Sequence, residues 1–484
     1  MRKFAYFFVF IYCATAFAQI EISGAVSGTW AETELDYWVM GDCYVPGGST
    51  LTILSGVQVQ FYDHYDFVIQ GALIVQGTET DSVVFRSLFG TTPGSWTGLE
   101  FQNILPGITS INYCRIEAAD RCLNVDDSQI YVHNCLLRAS DLSPVRAIDS
   151  DITLSDCVIT QGGGSGISLQ NSTATVTGCT ITYCSGSYGH GINASNGGTL
   201  TVVGGYIGNN LGYGVNGVSL GDVVLTQVEI EDNGGYGVSL TFCAELNAFR
   251  SIIHHNGYHG LFLSSTSLYA SNLTISTNGG SGISCANNNI ELTSSIVDRN
   301  VEWGIHCQTS SDFLGYNCLF ENGQGAYSNC SPGTGAIEDD PEYVSWGNRL
   351  YDLTETSPCI DAGSPFDPID PDGTTTDMGA IFFNQDPVDP FANIDIINSF
   401  AIASTYPNPF NPSLTILLEA FKPAAASLEA WSTAGQLVST IWEGRLMPGY
   451  REVIWNAAGL PSGIYHIRLV TDESMVTESV LLLK

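Results

Sequence analysis

Short runs in which apolar and polar residues alternate recur along most of this chain, separated by Gly, Asn and Ser. Thr175 to Ile181, Asp222 to Ile230 and Glu291 to Val297 are three of them, all rich in β-branched side chains. Alternation with a period of two predicts strands, and the polar clusters between them predict turns.

The runs keep a beat of about 22 residues. A small residue followed by an aliphatic recurs at Gly166-Ile167, Gly191-Ile192, Gly214-Val215, Gly237-Val238, Gly260-Leu261, Gly282-Ile283 and Gly304-Ile305. Asn210, Asn233, Asn256, Asn278, Asn300 and Asn322 keep the same interval. A third column runs Cys114, Cys135, Cys157, Cys179, Gly205, Val228, Ser251, Leu273, Ser295, Cys318. Strands at one fixed interval with no helix between them cannot build a βαβ sheet; they predict one coil of a parallel β-helix per repeat. Coils stack at roughly 4.8 Å, so those from Cys114 to Cys318 make a rod roughly 45 to 50 Å long.

Each column then becomes a ladder along the rod. Stacked asparagine amides carry a donor and an acceptor and can bond to one another along the axis, and asparagine tolerates the left-handed turn conformation. The cysteines read as small interior hydrophobes rather than disulfides, and Leu240, Leu263, Cys285 and Cys307 exchange at one core position. From Thr50 to Tyr343 the chain resembles the right-handed parallel β-helix proteins of the pectate-lyase-like superfamily.

After Thr405 the pattern changes to longer alternating strands joined at Ala434-Gly435 and at Thr471 to Ser474, which predicts a small antiparallel sandwich. The expected fold class is all-β, a right-handed parallel β-helix followed by a small antiparallel β-sandwich. The last segment resembles the C-terminal sorting domain of type IX secretion cargo. Pro407-Asn408-Pro409-Phe410-Asn411-Pro412-Ser413, Gly435, Ser462-Gly463-Ile464-Tyr465 and Lys484 carry that resemblance. It implies the type IX secretion machinery as a partner, and passage across an outer membrane followed by release or surface display.

The other end agrees with export: Arg2-Lys3, an apolar run from Phe4 to Ala14 and Ala16-Phe17-Ala18 read as a signal peptide. No segment reaches the roughly 20 apolar residues of a membrane span. The expected organisation is a signal peptide at 1–18, an N-terminal cap at 19–49, β-helix repeats at 50–343, a closing segment at 344–384, a linker at 385–404 and the sorting domain at 405–484.

Charge narrows the partners. Fifteen Lys and Arg against 49 Asp and Glu give −34, which disfavours nucleic acid and anionic membranes. It also disfavours a polyuronate unless metal ions bridge the charges.

Four patterns could carry chemistry. Gly189-His190-Gly191 is a tripeptide of polygalacturonases, but one coil earlier lies GGGSGISLQNS (162–172), with no carboxylate to work beside His190. The tripeptide therefore reads as a repeat glycine with a variable neighbour. Asp127 and Asp149 share a register and could form a glycosidase-like pair on adjacent coils; Asn171 continues their column, so turn capping explains them equally well. In the acidic loop, Asp367, Asp370, Asp372 and Asp377 offer oxygen ligands for calcium. As an EF-hand the loop fails, with Pro368 at the first ligand position and Gly379 at the twelfth. Finally, the position before the repeat glycine holds His190, Tyr213, Tyr236, His259 and Trp303, a row of rings suited to the apolar faces of sugars, or else a shield over the turn beneath. Tyr213, Tyr236, His259 and Trp303 are the expected ligand-binding residues. The expectation is a secreted or surface-displayed protein that binds polysaccharide or a cell-surface glycan, or mediates adhesion. A polysaccharide-degrading hydrolase or lyase on the same fold is the alternative.

Overall fold

A computed structural model describes residues 19–186, 189–308, 311–345, 347, 349–385, 400–406, 410–420, 424–432, 436–446, 449–471 and 475–483. The expected signal peptide, residues 386–399 of the expected linker, Pro407-Asn408-Pro409, the turns at Ala434-Gly435 and 472–474, and Lys484 lie outside the described residues.

Three short strands make one coil, for example Leu123–Asp126, Gln129–His133 and Leu136–Ser140. Each strand pairs in parallel with its equivalent one coil later: Val125 with Ala147, Ile130 with Ile152, Leu137 with Ile159. The middle strands alone form a parallel sheet of thirteen, from Gly28–Trp30 to Ser311–Gly315. Inward residues stack into apolar columns such as Leu123, Val145, Ile167, Ile192, Val215 and Val238, all fully buried. Aromatic rings fill the first coils, where Phe61 stacks on Trp96 with centroids 3.8 Å apart.

Each coil turns at residues in the left-handed conformation. One corner is held by Asp127, Asp149, Asn171 and Asn196 with φ of 45°, 51°, 48° and 64°. Short polar side chains that bond to nearby backbone make this region accessible to non-glycine residues. Of the two causes the sequence offered for the buried asparagine ladder, the stacked amides hold and the left-handed turn does not. Asn210, Asn233, Asn256, Asn278 and Asn300 are not the left-handed residues; their predecessors Asn209, Asp232, His255, Thr277 and Arg299 are. The ladder asparagines sit just inside the corner. There each Nδ2 donates to the Oδ1 of the next coil at 3.0 Å, in an unbroken series from Asn210 to Asn322.

The cysteine column Cys114, Cys135, Cys157 and Cys179 is buried without disulfides. Cys135 Sγ donates to His133 O at 3.2 Å and Cys157 Sγ to Ser155 O at 3.2 Å. Burial pushes the Cys157 thiol well above its ordinary range.

After the last coil the chain forms an antiparallel hairpin of Tyr343–Ser345 with Leu350–Leu353 and then runs back along the rod. Its bonds follow the flank of three successive coils: Arg250 to Asp370 at 3.0 Å, Asn272 Nδ2 to Asp377 O at 2.9 Å, and Ser294 Oγ to Asp367 Oδ2 at 2.5 Å. Beyond it, a three-stranded and a four-stranded antiparallel sheet enclose Leu414, Ile416, Trp455, Leu428, Ile467 and Leu469. Phe410 of the proline-rich signature is buried among them. No helix of the described residues is long and apolar enough to cross a membrane.

Candidate functional site

The position before each repeat glycine forms a true column. The amide of Gly191 donates to Tyr213 O, that of Gly214 to Tyr236 O, Gly237 to His259 O, Gly260 to Ser281 O and Gly282 to Trp303 O, at 2.9 to 3.1 Å. Coils approach so closely here that a Cβ on Gly214 would lie 2.6 Å from Gly237 O and 2.5 Å from Ile230 Cγ2. That approach explains the glycine in the repeat.

Ring centroids along the column are 4.7 Å apart from His190 to Tyr213, 4.8 Å from Tyr213 to Tyr236 and 5.5 Å from Tyr236 to His259. Phe262 joins them, stacked on Tyr236 at 5.1 Å. Tyr213, Tyr236, His259 and Trp303 are all partly exposed, whereas His190 is buried. Each ring also leans on the coil above it; a Cβ on Gly235 would meet Tyr213 Cδ1 at 2.1 Å. The two histidines have a further task. His190 Nδ1 accepts the Tyr213 amide at 2.9 Å and His259 Nδ1 accepts the Ser281 amide at 2.7 Å, which leaves the ring proton on Nε2. Burial holds both imidazoles below their ordinary pKa, so both favour this neutral state.

Between His259 and Trp303 the column carries Ser281, and the missing ring opens a cleft of about 270 Å³. Glu302, Ser284, His306, Gln308 and Gln324 complete its lining. Ser281 Oγ donates to Glu302 Oε2 at 3.2 Å, and His306 and Gln308 meet at 3.1 Å. Ser284 and His306 belong to an outward row beside the rings: Asn193, Asn216, Ser239, Phe262, Ser284 and His306 are register partners on successive coils. The rings and the polar row together make one amphipathic face. Sequence reasoning missed Glu302 and His306, although both flank Trp303 and His306 alternates outward along Trp303–Gln308.

Asp127 and Asp149 are exposed corner residues. Asp149 Oδ1 accepts Asn171 Nδ2 at 2.5 Å, which is how a capping column behaves. Arg146 turns to the neighbouring Asp126, at 3.0 Å, and to Asn124, at 2.6 Å.

The four aspartates of the acidic loop are each engaged. Asp370 holds Arg250 and the Asp377 amide; Asp372 accepts the amides of Thr374 and Gln385; Asp377 accepts those of Asp361 and Phe383; Asp367 accepts Ser294 Oγ. Burial raises the Asp377 carboxyl to about 6. These bonds fold the loop and fasten it to the flank.

The family described as right handed beta helix region matches residues 108–272. No curated protein matches the chain. Among solved structures it is similar to the periplasmic alginate epimerase AlgG, at 13% identity over 61% of this chain and 76% of that one, with a TM-score of 0.42. It is also similar to the A-module of the Azotobacter vinelandii mannuronan C-5 epimerase AlgE4, at 12% identity over 64% and 88%, TM-score 0.27. A third is tailspike protein 2 of an Escherichia coli O157:H7 bacteriophage, at 10% identity over 95% and 59%, TM-score 0.28. These likenesses are too distant to assign chemistry. On its own strand pairing and the matched family region, the chain is a right-handed parallel β-helix with a C-terminal antiparallel β-sandwich.

Proposed function

We propose that this protein is exported by the type IX route and binds a polysaccharide along the face formed by the ring column and its neighbouring polar row. The observation that carries the reading is the cleft between His259 and Trp303, where aromatic rings and hydrogen-bonding side chains converge. Sugars present apolar ring faces and polar rims, and a site that holds them needs both. Tyr213, Tyr236, His259 and Trp303 supply the rings; Ser284, Glu302, His306 and Gln308 supply the polar contacts.

Incubating the full mature chain with an array of neutral, acidic and amino polysaccharides tests the binding. Saturable retention of one class without cleavage supports it; release of shortened products would instead place the protein among degrading enzymes. Export rests on the 1–18 leader and on Pro407 to Ser413. In a host with type IX secretion, removal of 405–484 should trap the β-helix in the periplasm, and its normal appearance outside the cell would contradict the route.

A further inference from the structure

Around the corner from the ring face, the third strand of each coil points another row outward. In strand Glu229–Glu231 the inward residue Ile230 is fully buried, so Glu229 and Glu231 leave the same face. His254 is the register partner of Glu231 one coil later, and the Tyr351 ring packs against it at 5.0 Å, leaving the imidazole fully buried. His254 Nε2 lies 3.1 Å from Glu229 Oε1 and 3.5 Å from Glu231 Oε2. The three ligand atoms all fall within 4.8 Å of one another.

We propose that Glu229, Glu231 and His254 bind one divalent transition cation of the zinc class. A mixed imidazole and carboxylate set suits zinc and its neighbours, whereas calcium and magnesium take oxygen alone. Two observations beyond the cluster support the assignment. The far nitrogen of His254, Nδ1, meets His255 Nδ1 at 2.9 Å, the outer-shell hydrogen bond that orients a ligating imidazole. Charge is the second: Glu229, Glu231 and Asp232 crowd here against one guanidinium, Arg349, which bonds to Glu231 and Asp232. Two negative charges remain, which is what a dication neutralises. Tyr206 Oη donates to Glu231 Oε1 at 2.8 Å, while Oε2, the oxygen turned toward the imidazole, is held by Arg349 Nη1, which a cation at the site displaces. Three protein ligands leave a fourth tetrahedral position on the solvent side, where Glu229 is partly exposed.

The test is calorimetric titration of the full, chelator-stripped chain with Zn²⁺, alongside Ca²⁺ and Mg²⁺, with Co²⁺ as a spectroscopic probe. Zinc should bind at one saturable site, and cobalt should show the intense visible bands of a four-coordinate ion. Glu229→Gln, a surface change that preserves shape, should weaken zinc by at least about tenfold. Arg349→Met removes the competing cation and should tighten it. Absence of saturable zinc binding overturns the site, and so does an affinity that Glu229→Gln leaves unchanged in a protein whose melting curve matches the parent. None of these readouts involves a glycan, so this site and the ring face stand or fall separately.

Discussion

Asn256 Nδ2 donates to Asn278 Oδ1 at 3.0 Å while Asn256 Oδ1 accepts both the amide and Nδ2 of Asn233, at 3.3 and 3.0 Å. One buried side chain thus bonds the coil before it to the coil after it, and its Nδ2 also satisfies Ile230 O. A chain of stacked amides holds the register of the rod from inside, where no water competes.

Asn256→Ala strips partners from both neighbours at once, and it should cost about 1 to 3 kcal/mol in urea unfolding. The exposed strand residue Glu291 serves as a control, and Glu291→Gln should stay within about 0.5 kcal/mol of the parent. Equal midpoints for the two variants would show that the ladder bonds contribute nothing.

His259 gives the ring column a pH dependence of defined sign. Its imidazole must stay neutral to accept the Ser281 amide, and burial depresses its folded-state pKa below the unfolded value of about 6.5. Its contribution is therefore complete above about pH 6.5 and is lost as pH falls through the folded-state value. His259→Asn keeps an acceptor near Nδ1 and does not titrate. The melting-temperature difference between parent and variant should be flat above neutrality and should turn against the parent in acid. A difference independent of pH from 8 to 4.5 would refute the assignment.

Buried thiols, out of reach of reagent and of the water that would stabilise a thiolate, should be unreactive. Cys114, Cys135, Cys157 and Cys179 should resist iodoacetamide in the folded protein and label fully once it is unfolded, without prior reduction. A series of disulfides between successive members, seen by mass spectrometry of the unreduced chain, would remove the thiol core.

For the ring face, shield and binding strip make opposite forecasts. If the rings bind glycan, Tyr236→Ala and Trp303→Ala should each weaken retention by about tenfold, or 1.4 kcal/mol, while the melting temperature moves little. Tyr236 touches Tyr213, Tyr258, His259 and Phe262, so a large loss of stability with unchanged retention would mark it as a shield instead. A folded variant lacking the rings of Tyr213, Tyr236, His259 and Trp303 that still binds as the parent would sink the ring proposal.

Stacking is what made so much of this protein readable in its sequence. Residues about 22 apart become neighbours at a fixed height, so the ring column, the asparagine ladder and the Leu/Cys exchange from Leu240 to Cys307 each appear as a regular interval. The same logic places Tyr213, Tyr236, His259 and Trp303 in one register. Contacts without a fixed interval were invisible. Arg250 finds Asp370 across 120 positions, and Arg349 finds Asp232 across 117, because the last segment folds back along the rod. That return turned the aspartates of the acidic loop toward its own amides and the flank, and it buried His254 beneath Tyr351. The cleft beside Glu302 arose from an absence, the small Ser281 between two rings, which periodicity records only as one more member of a column. Sequence determined which residues share a height and a face, since the coil length does so by geometry alone. Tertiary structure decided which of those faces is covered, which carboxylates are already engaged, and where Glu229, Glu231 and His254 meet, because these depend on side-chain direction or on a segment about a hundred residues away.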